Sequence, residues 1–106
     1  MDFLAGEKTV MAAKYLMGFD IGGSGGRCVL YNLANRAITA AYRPWTQPNA
    51  PGLGYWAFDL DVQGIWRTFA ELSQEARRRA GAAGEEIAGI AVTGMRLTTV
   101  LVDGSG

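Results

Sequence analysis

Asp20-Ile21-Gly22-Gly23-Ser24-Gly25-Gly26-Arg27 is the stretch on which the reading of this sequence turns. The residues leading into it, Tyr15 to Ile21, form a short apolar run stopped by glycines, which predicts a buried strand. Arg27 to Leu33 predicts a second strand, with Gly22 to Gly26 as the tight turn between them. An aspartate at the end of a strand is held by a rigid scaffold and can orient magnesium, usually through water. Glycines after it put no side chains between backbone and ligand, so their N–H groups can converge on phosphate oxygens. Ser24 adds a hydroxyl donor and Arg27 a permanent positive charge. The stretch lacks the Gly-Lys-Ser/Thr ending of a Walker loop. Its glycine spacing is not that of the dinucleotide fingerprint, and it leads into a strand rather than a helix. The same residues also read as a plain glycine-rich hairpin turn capped by an aspartate.

Outward from this stretch, Leu33-Ala34-Asn35-Arg36 predicts a hairpin turn with Asn35 in the left-handed conformation, and Arg36 to Tyr42 a third strand. Residues 43–58 hold all three prolines, two glycines and two tryptophans, the composition of a loop with large anchors rather than a flexible linker. A helix follows, with Asp59 or Asp61 as N-cap. Ile65, Phe69, Leu72, Ala76 and Ala80 recur at spacings of three and four and form one apolar stripe, which Gly81 and Gly84 end. Ile87 to Thr93 predicts a fourth strand and Thr98 to Val102 a fifth, closed by the turn Asp103-Gly104-Ser105-Gly106. The order is β-β-β-α-β-β, an α/β arrangement. Residues 1–14 read as a weakly patterned extension. A chain that stops in a turn, after a strand with no partner of its own, is expected to be part of a longer polypeptide.

The 106 residues are 49% hydrophobic and 19% charged, enough for one domain with a core. Ten Lys and Arg balance ten Asp and Glu, so no charge excess points to nucleic acid or an anionic membrane. Arg77-Arg78-Arg79 reads as a solvated helix end near the negative pole of the helix dipole. With no histidine and Cys28 as the single cysteine, an internal disulfide and catalysis by a histidine base are excluded and a zinc site is disfavoured. Any proton acceptor here is a carboxylate. The N-terminal residues read as neither signal peptide nor transmembrane helix, and a cytoplasmic location is expected.

Gly18-Phe19-Asp20-Ile21-Gly22-Gly23-Ser24, with Arg27 and Val29-Leu30-Tyr31 after it, resembles the first phosphate motif of the sugar kinase/Hsp70/actin superfamily, Asp-x-Gly-Thr/Gly-Ser/Thr-x-x-Lys/Arg between the first two strands. Two later stretches are similar to the FGGY carbohydrate kinases within that superfamily. Trp56-Ala57-Phe58-Asp59-Leu60-Asp61, with Trp66 on the helix behind it, resembles the family's acidic-Gln-Asp-Pro stretch before a helix with an early tryptophan. Two registers are open. Asp61 takes the family aspartate slot with Asp59 in the acidic slot before it, or Phe58-Asp59-Leu60 aligns as in the autoinducer-2 kinase branch after a two-residue insertion. The family proline is replaced by Val62 or Leu60. Ile90-Ala91-Val92-Thr93-Gly94-Met95-Arg96, continuing to Asp103, resembles the FGGY segment Ile-x-x-Ile-x-Thr-x-Gln and the apolar strand behind it. Arg96 and Thr98-Thr99 fall where glycerol kinases have Arg and Thr-Thr, and Met95-Arg96 is similar to the Met-Arg pair of autoinducer-2 kinases. Both groups usually have Glu next, where this chain has Leu97. A missing acceptor for substrate hydroxyls counts against glycerol.

The resemblance covers residues 15–106 and implies a partial ribonuclease-H-like (actin-like ATPase) domain. Residues 1–14 would be an extension and residues 15–106 the first part of an FGGY N-terminal domain whose remainder, with the C-terminal domain, lies outside the chain. It implies ATP-dependent phosphorylation of a sugar or polyol hydroxyl, with ATP and Mg2+. Asp20 would help hold the metal, Gly22, Gly23 and Ser24 would face the γ-phosphate, and Arg27 would sit near the phosphates. Arg96, Met95 and Asp59 would meet the substrate. Each also has a plainer reading: Arg27 and Arg96 as surface cations, Asp59 and Asp61 as helix caps, Trp56 and Trp66 as packing anchors, Cys28 as a small buried strand residue. The family's base is an aspartate beyond Gly106, so the chain alone is expected to be inactive. The implied partners are a sugar or polyol and ATP, without nucleic acid or membrane, and the full-length protein could form a homodimer. Two other readings stay open: another superfamily member, such as a ROK kinase or an ATPase activator, and a small non-enzymatic domain that binds a partner through the tryptophan-rich loop.

Overall fold

The computed structural model describes residues 13–96 and 98–106. Most of the expected N-terminal extension, residues 1–12, lies outside the described residues, as does Leu97. The elements are β1 (Tyr15–Ile21), β2 (Gly25–Asn32), β3 (Ile38–Pro44), α1 (Val62–Ala80), a short 3-10 turn (Gly84–Glu86) and β4 (Ile87–Thr93). They build one mixed sheet in the order β3-β2-β1-β4. β1 pairs antiparallel with β2, β2 antiparallel with β3, and β1 parallel with β4. A parallel neighbour needs a crossover, and α1 provides it.

Local chemistry explains each element. In β1, Tyr15 and Met17 are buried, and Phe19 and Ile21 pack toward the same side, as a period of two demands. Cys28 and Leu30 of β2 and Ala41 of β3 continue that inner face. The expected stripe on α1 lies over it: Phe69, Leu72 and Ala76 are buried, with Ile65 and Ala80 packed beside them. The Phe69 ring meets those of Phe19 and Trp45 edge-on, with centroids 5.3 and 5.9 Å away. Asp61, not Asp59, is the N-cap, accepting from the Gly64 N–H at 2.9 Å. Gly81 closes the helix in the left-handed conformation, and Arg77, Arg78 and Arg79 occupy the last turn. No helix among the described residues is long and apolar enough to cross a membrane.

Several expectations need correction. The second and third strands run Gly25–Asn32 and Ile38–Pro44, so Gly25 and Gly26 belong to β2 rather than to the turn. In the β2–β3 connection Arg36, not Asn35, takes the positive φ of 63°. The Asn32 side chain accepts from the N–H groups of Ala34 and Asn35, and the Asn35 side chain accepts from Ala37, so the two asparagines shape the turn from its flanks. The expected fifth strand is not formed, since Thr98 to Val102 joins no ladder among the described residues. A strand is defined by its partner, and nothing in the sheet pairs with this segment. The turn after it does form: the Gly106 N–H donates to Asp103 O at 3.1 Å and the Ser105 N–H to the Asp103 carboxylate at 2.9 Å.

Candidate functional site

β1, β3 and β4 run in one direction, so their carboxyl ends share one edge of the sheet. The glycine turn leaves β1 there, the loop 45–61 leaves β3, and the segment from Gly94 leaves β4. The start of α1 returns to the same edge, where Asp61 and Gly64 line a small cleft with Trp45 and Gln47. Crevices outside the carboxyl ends of parallel strands are the usual ligand sites of open α/β sheets.

The glycine turn is closed, with the Gly22 N–H donating to Gly25 O at 2.8 Å. Its glycines divide by role. A Cβ on Gly25 would lie 2.5 Å from the Tyr42 hydroxyl oxygen, and one on Gly26 would lie 2.5 Å from the Phe69 ring and 2.7 Å from the Trp45 ring. Those two glycines serve close packing. Gly23 and Ser24 are exposed, and among the described residues neither N–H donates to a protein acceptor. The carbonyls of the turn are engaged: Trp45 N–H donates to Ser24 O at 3.0 Å and Gln47 Nε2 to Gly23 O at 2.8 Å. What remains is a glycine-rich bend with two N–H groups that no acceptor among the described residues holds, the kind of backbone that can bind an anion.

Asp20 is exposed and alternates with Phe19 and Ile21, which puts it on the sheet face away from α1. Its ladder neighbours are Arg27 on β2 and Thr93 on β4. Arg27 is exposed, with its guanidinium 5.8 Å from the ring centroid of its own ladder neighbour Tyr42. No cluster of three or more metal-binding side chains occurs among the described residues. A lone strand-end carboxylate beside a phosphate-sized bend nevertheless suits Mg2+, which keeps several waters and takes its other ligands from phosphate.

Beside this bend, the loop after β3 and the segment after β4 flank an open cavity of ≈410 Å³. Gln47, Asp59, Met95, Thr98 and Thr99 line it. The structure therefore brings together Asp59 and Met95, two of the three residues expected at the substrate. The third, Arg96, is exposed and does not line this cavity; its carbonyl accepts from the Thr98 hydroxyl at 3.4 Å. Asp59 is not spent on the helix cap, and its N–H donates to Pro48 O at 2.8 Å. Trp56 and Trp66 are not packing anchors, being 71% and 77% exposed; the anchor of the loop is Trp45, against Phe69. Gln47 escaped sequence reading, because its link to Gly23 spans 24 positions. The signal available was one long amide side chain inside an otherwise anchoring segment. Burial pushes the Cys28 thiol up to about 11, which leaves it a packed, unreactive group.

Known proteins bear on this arrangement. The model of the N-terminal domain of the FGGY family of carbohydrate kinases matches residues 15–106. A glycerol kinase of Agathobacter rectalis is 34% identical over 93 residues, covering 86% of this chain and 18% of its own length. Glycerol kinase 1 of Clostridium tetani is 33% identical over 91 residues, 86% of this chain and 18% of its own. A glycerol kinase of Clostridium botulinum is 34% identical over 88 residues, 83% and 17% respectively. The chain thus spans less than a fifth of the length of these relatives.

Proposed function

Since the chain belongs to the FGGY family of carbohydrate kinases, we propose that it supplies the phosphate turn and part of the acceptor cavity of an enzyme that transfers a phosphoryl group from ATP to a sugar or polyol hydroxyl. Its sheet and helix are the opening part of the ribonuclease-H-like, actin-like ATPase domain, and membership replaces the ROK-kinase and activator readings. The observation that carries the proposal is one juxtaposition. A strand-end carboxylate, Asp20, adjoins a bend whose Gly23 and Ser24 N–H groups have no acceptor among the described residues, and both share a sheet edge with the ≈410 Å³ cavity.

Phosphoryl transfer asks the protein for positioning and charge neutralisation more than for covalent chemistry. In this reading the Gly23 and Ser24 amides and the Ser24 hydroxyl hold oxygens of the terminal phosphate, and Gly22 lets them approach. Asp20 orients the Mg2+ of MgATP through water, and the metal, when bound, neutralises phosphate charge. Arg27, one ladder position across, adds a permanent positive charge at that face. Asp59 accepts from acceptor hydroxyls, Thr98 and Thr99 donate or accept, and Met95 packs on the carbon skeleton. Arg96, next to Met95 in the chain, meets substrate oxygens from outside the cavity wall. The general base lies in the part of the enzyme beyond this chain, so residues 1–106 alone give no turnover. The whole enzyme is a two-domain cytoplasmic protein, and Leu97 in the sequence favours an acceptor other than glycerol.

The test is a substrate screen of the complete polypeptide against ketoses, polyols and autoinducer-type ligands, followed by Asp20→Asn. The substitution should lower kcat by at least about a hundredfold with little change in the acceptor KM. An unchanged kcat would remove Asp20 from the site and the proposal with it.

A further inference from the structure

We propose that Gln47 is a positioning residue that sets the direction of the phosphate-facing amide of Ser24; this rests on the kinase reading above. Gln47 is half-buried, lines the cavity shared by Asp59 and Met95, and donates its side-chain amide to Gly23 O at 2.8 Å. Two residues earlier, the Trp45 N–H holds Ser24 O at 3.0 Å. A peptide unit is planar and trans, so its carbonyl and N–H point in opposite directions. With the Gly23 carbonyl aimed at Gln47, the Ser24 N–H of the same unit faces away from the loop. No protein acceptor among the described residues holds that N–H from its own side.

The tie matters because the turn is otherwise under-determined. Gly22, Gly23, Ser24 and Gly25 make a tight hairpin connection, and such connections favour forms with a positive φ at the first central residue. Gly23 could adopt one without steric cost, yet neither Gly23 nor Ser24 has a positive φ. The alternative turn forms differ mainly by rotation of the central peptide, here Gly23–Ser24. That rotation would carry the Gly23 carbonyl outward, toward the place proposed for phosphate, and turn the Ser24 amide away. Gln47 opposes it from a side chain that also walls the acceptor cavity. One residue thus links the donor and acceptor halves of the site.

The test uses the 15N-labelled complete polypeptide as wild type, Gln47→Met, which keeps the length but not the donor, and Gln74→Met on the exposed side of α1 as control. The N–H residual dipolar coupling of Ser24 reports amide direction without any ligand. Titration with MgATP, followed at the Gly23 and Ser24 amides, reports anion binding. Gln47→Met should change the Ser24 coupling, leave the amide shifts of Cys28 and Leu72 in place, and weaken the apparent Kd about fivefold, the size of one neutral hydrogen bond. Gln74→Met should do neither. Gln47→Glu, which presents an acceptor to the Gly23 carbonyl, should weaken binding further and gives the same readout if the Met variant does not fold. An unaltered coupling and Kd in a folded Gln47 variant would overturn the proposal and leave the phosphate turn standing. Wild-type amides at Gly23 and Ser24 that ignore MgATP would overturn the phosphate turn itself, and the role of Gln47 with it.

Discussion

The middle of the sheet and its β4 side carry similar residues in opposite circumstances. Leu72 and Leu30 are almost completely buried where α1 lies across β2 and β3. Ile90 and Val92 of β4, equally apolar, are 63% and 62% exposed and look into an apolar groove of ≈570 Å³ that they share with Phe19, Ile65 and Trp66. β2 is held by side-chain burial, whereas β4 is held chiefly by its ladder to β1 and by ties at its start. There Lys14 N–H donates to Glu86 O at 2.8 Å, and Lys14 Nζ lies 2.8 Å from the Glu86 carboxylate. Cohesion is therefore concentrated in one half of the sheet, and the candidate chemistry sits at an edge that spans both.

The strongest way to break this contrast is a matched pair of truncations. Leu72→Ala should cost about 2–5 kcal/mol in denaturant unfolding, because it opens a cavity in a closed core. Val92→Ala, on the open side, should cost less than about 0.5 kcal/mol. Equal costs would mean that the two halves are held alike. A second pair separates the glycines. Gly26→Ala drives a methyl into the Phe69 and Trp45 rings and should cost about 1–3 kcal/mol. Gly23→Ala finds its nearest neighbour, Gln47 Nε2, at 3.5 Å and should leave the unfolding midpoint within a few tenths of a kcal/mol, while weakening MgATP binding.

The smallest effect concerns the ties of β4. The hydrogen bond from Lys14, and then that from the Ala83 N–H, hold the Glu86 carboxyl below the usual range, while Glu86 raises Lys14 above its own. A carboxylate lowered by folding stabilises above its unfolded pKa, and that contribution goes as pH falls through the lowered folded value. A lysine raised by folding stabilises below its unfolded pKa, and its contribution goes as pH climbs through the raised one. Thermal midpoints of wild type and Glu86→Gln should thus differ slightly at neutral pH and converge in acid. Since Lys14 is exposed and Glu86 only partly buried, salt should shrink the difference. A gap that persists at low pH would show that something other than charge holds the start of β4.

Much of this was legible in the sequence because it is local. The alternation in β1 and the stripe from Ile65 to Ala80 depend on residues within a turn or two of one another, and the structure keeps both. Asp20 and the glycines announce a bend in the same way. The misses depend on distant partners. Thr98 to Val102 has the composition of a strand but no neighbour to pair with. Trp56 and Trp66 are apolar by type, yet exposure is set by what packs on them. Gln47 matters only because the loop folds back on Gly23. Asn35 and Arg36 are exchanged because Asn35 is engaged through both its N–H, held by Asn32, and its side chain, held by the Ala37 N–H, which leaves the positive φ to Arg36.

The shared direction of β1, β3 and β4 has a consequence for how such a domain can change over time. The glycine turn, the loop 45–61 and the segment after Gly94 leave from one rim, while Asn32 to Ala37 and Gly81 to Glu86 at the opposite rim join the strands and helix. Insertions and replacements at the first rim beyond Trp45 leave the residues beneath α1 in place. A lineage can therefore vary residues 48–61 and the segment after Gly94, while Trp45 and Gln47, which hold the Ser24 and Gly23 carbonyls, stay fixed with the glycine turn.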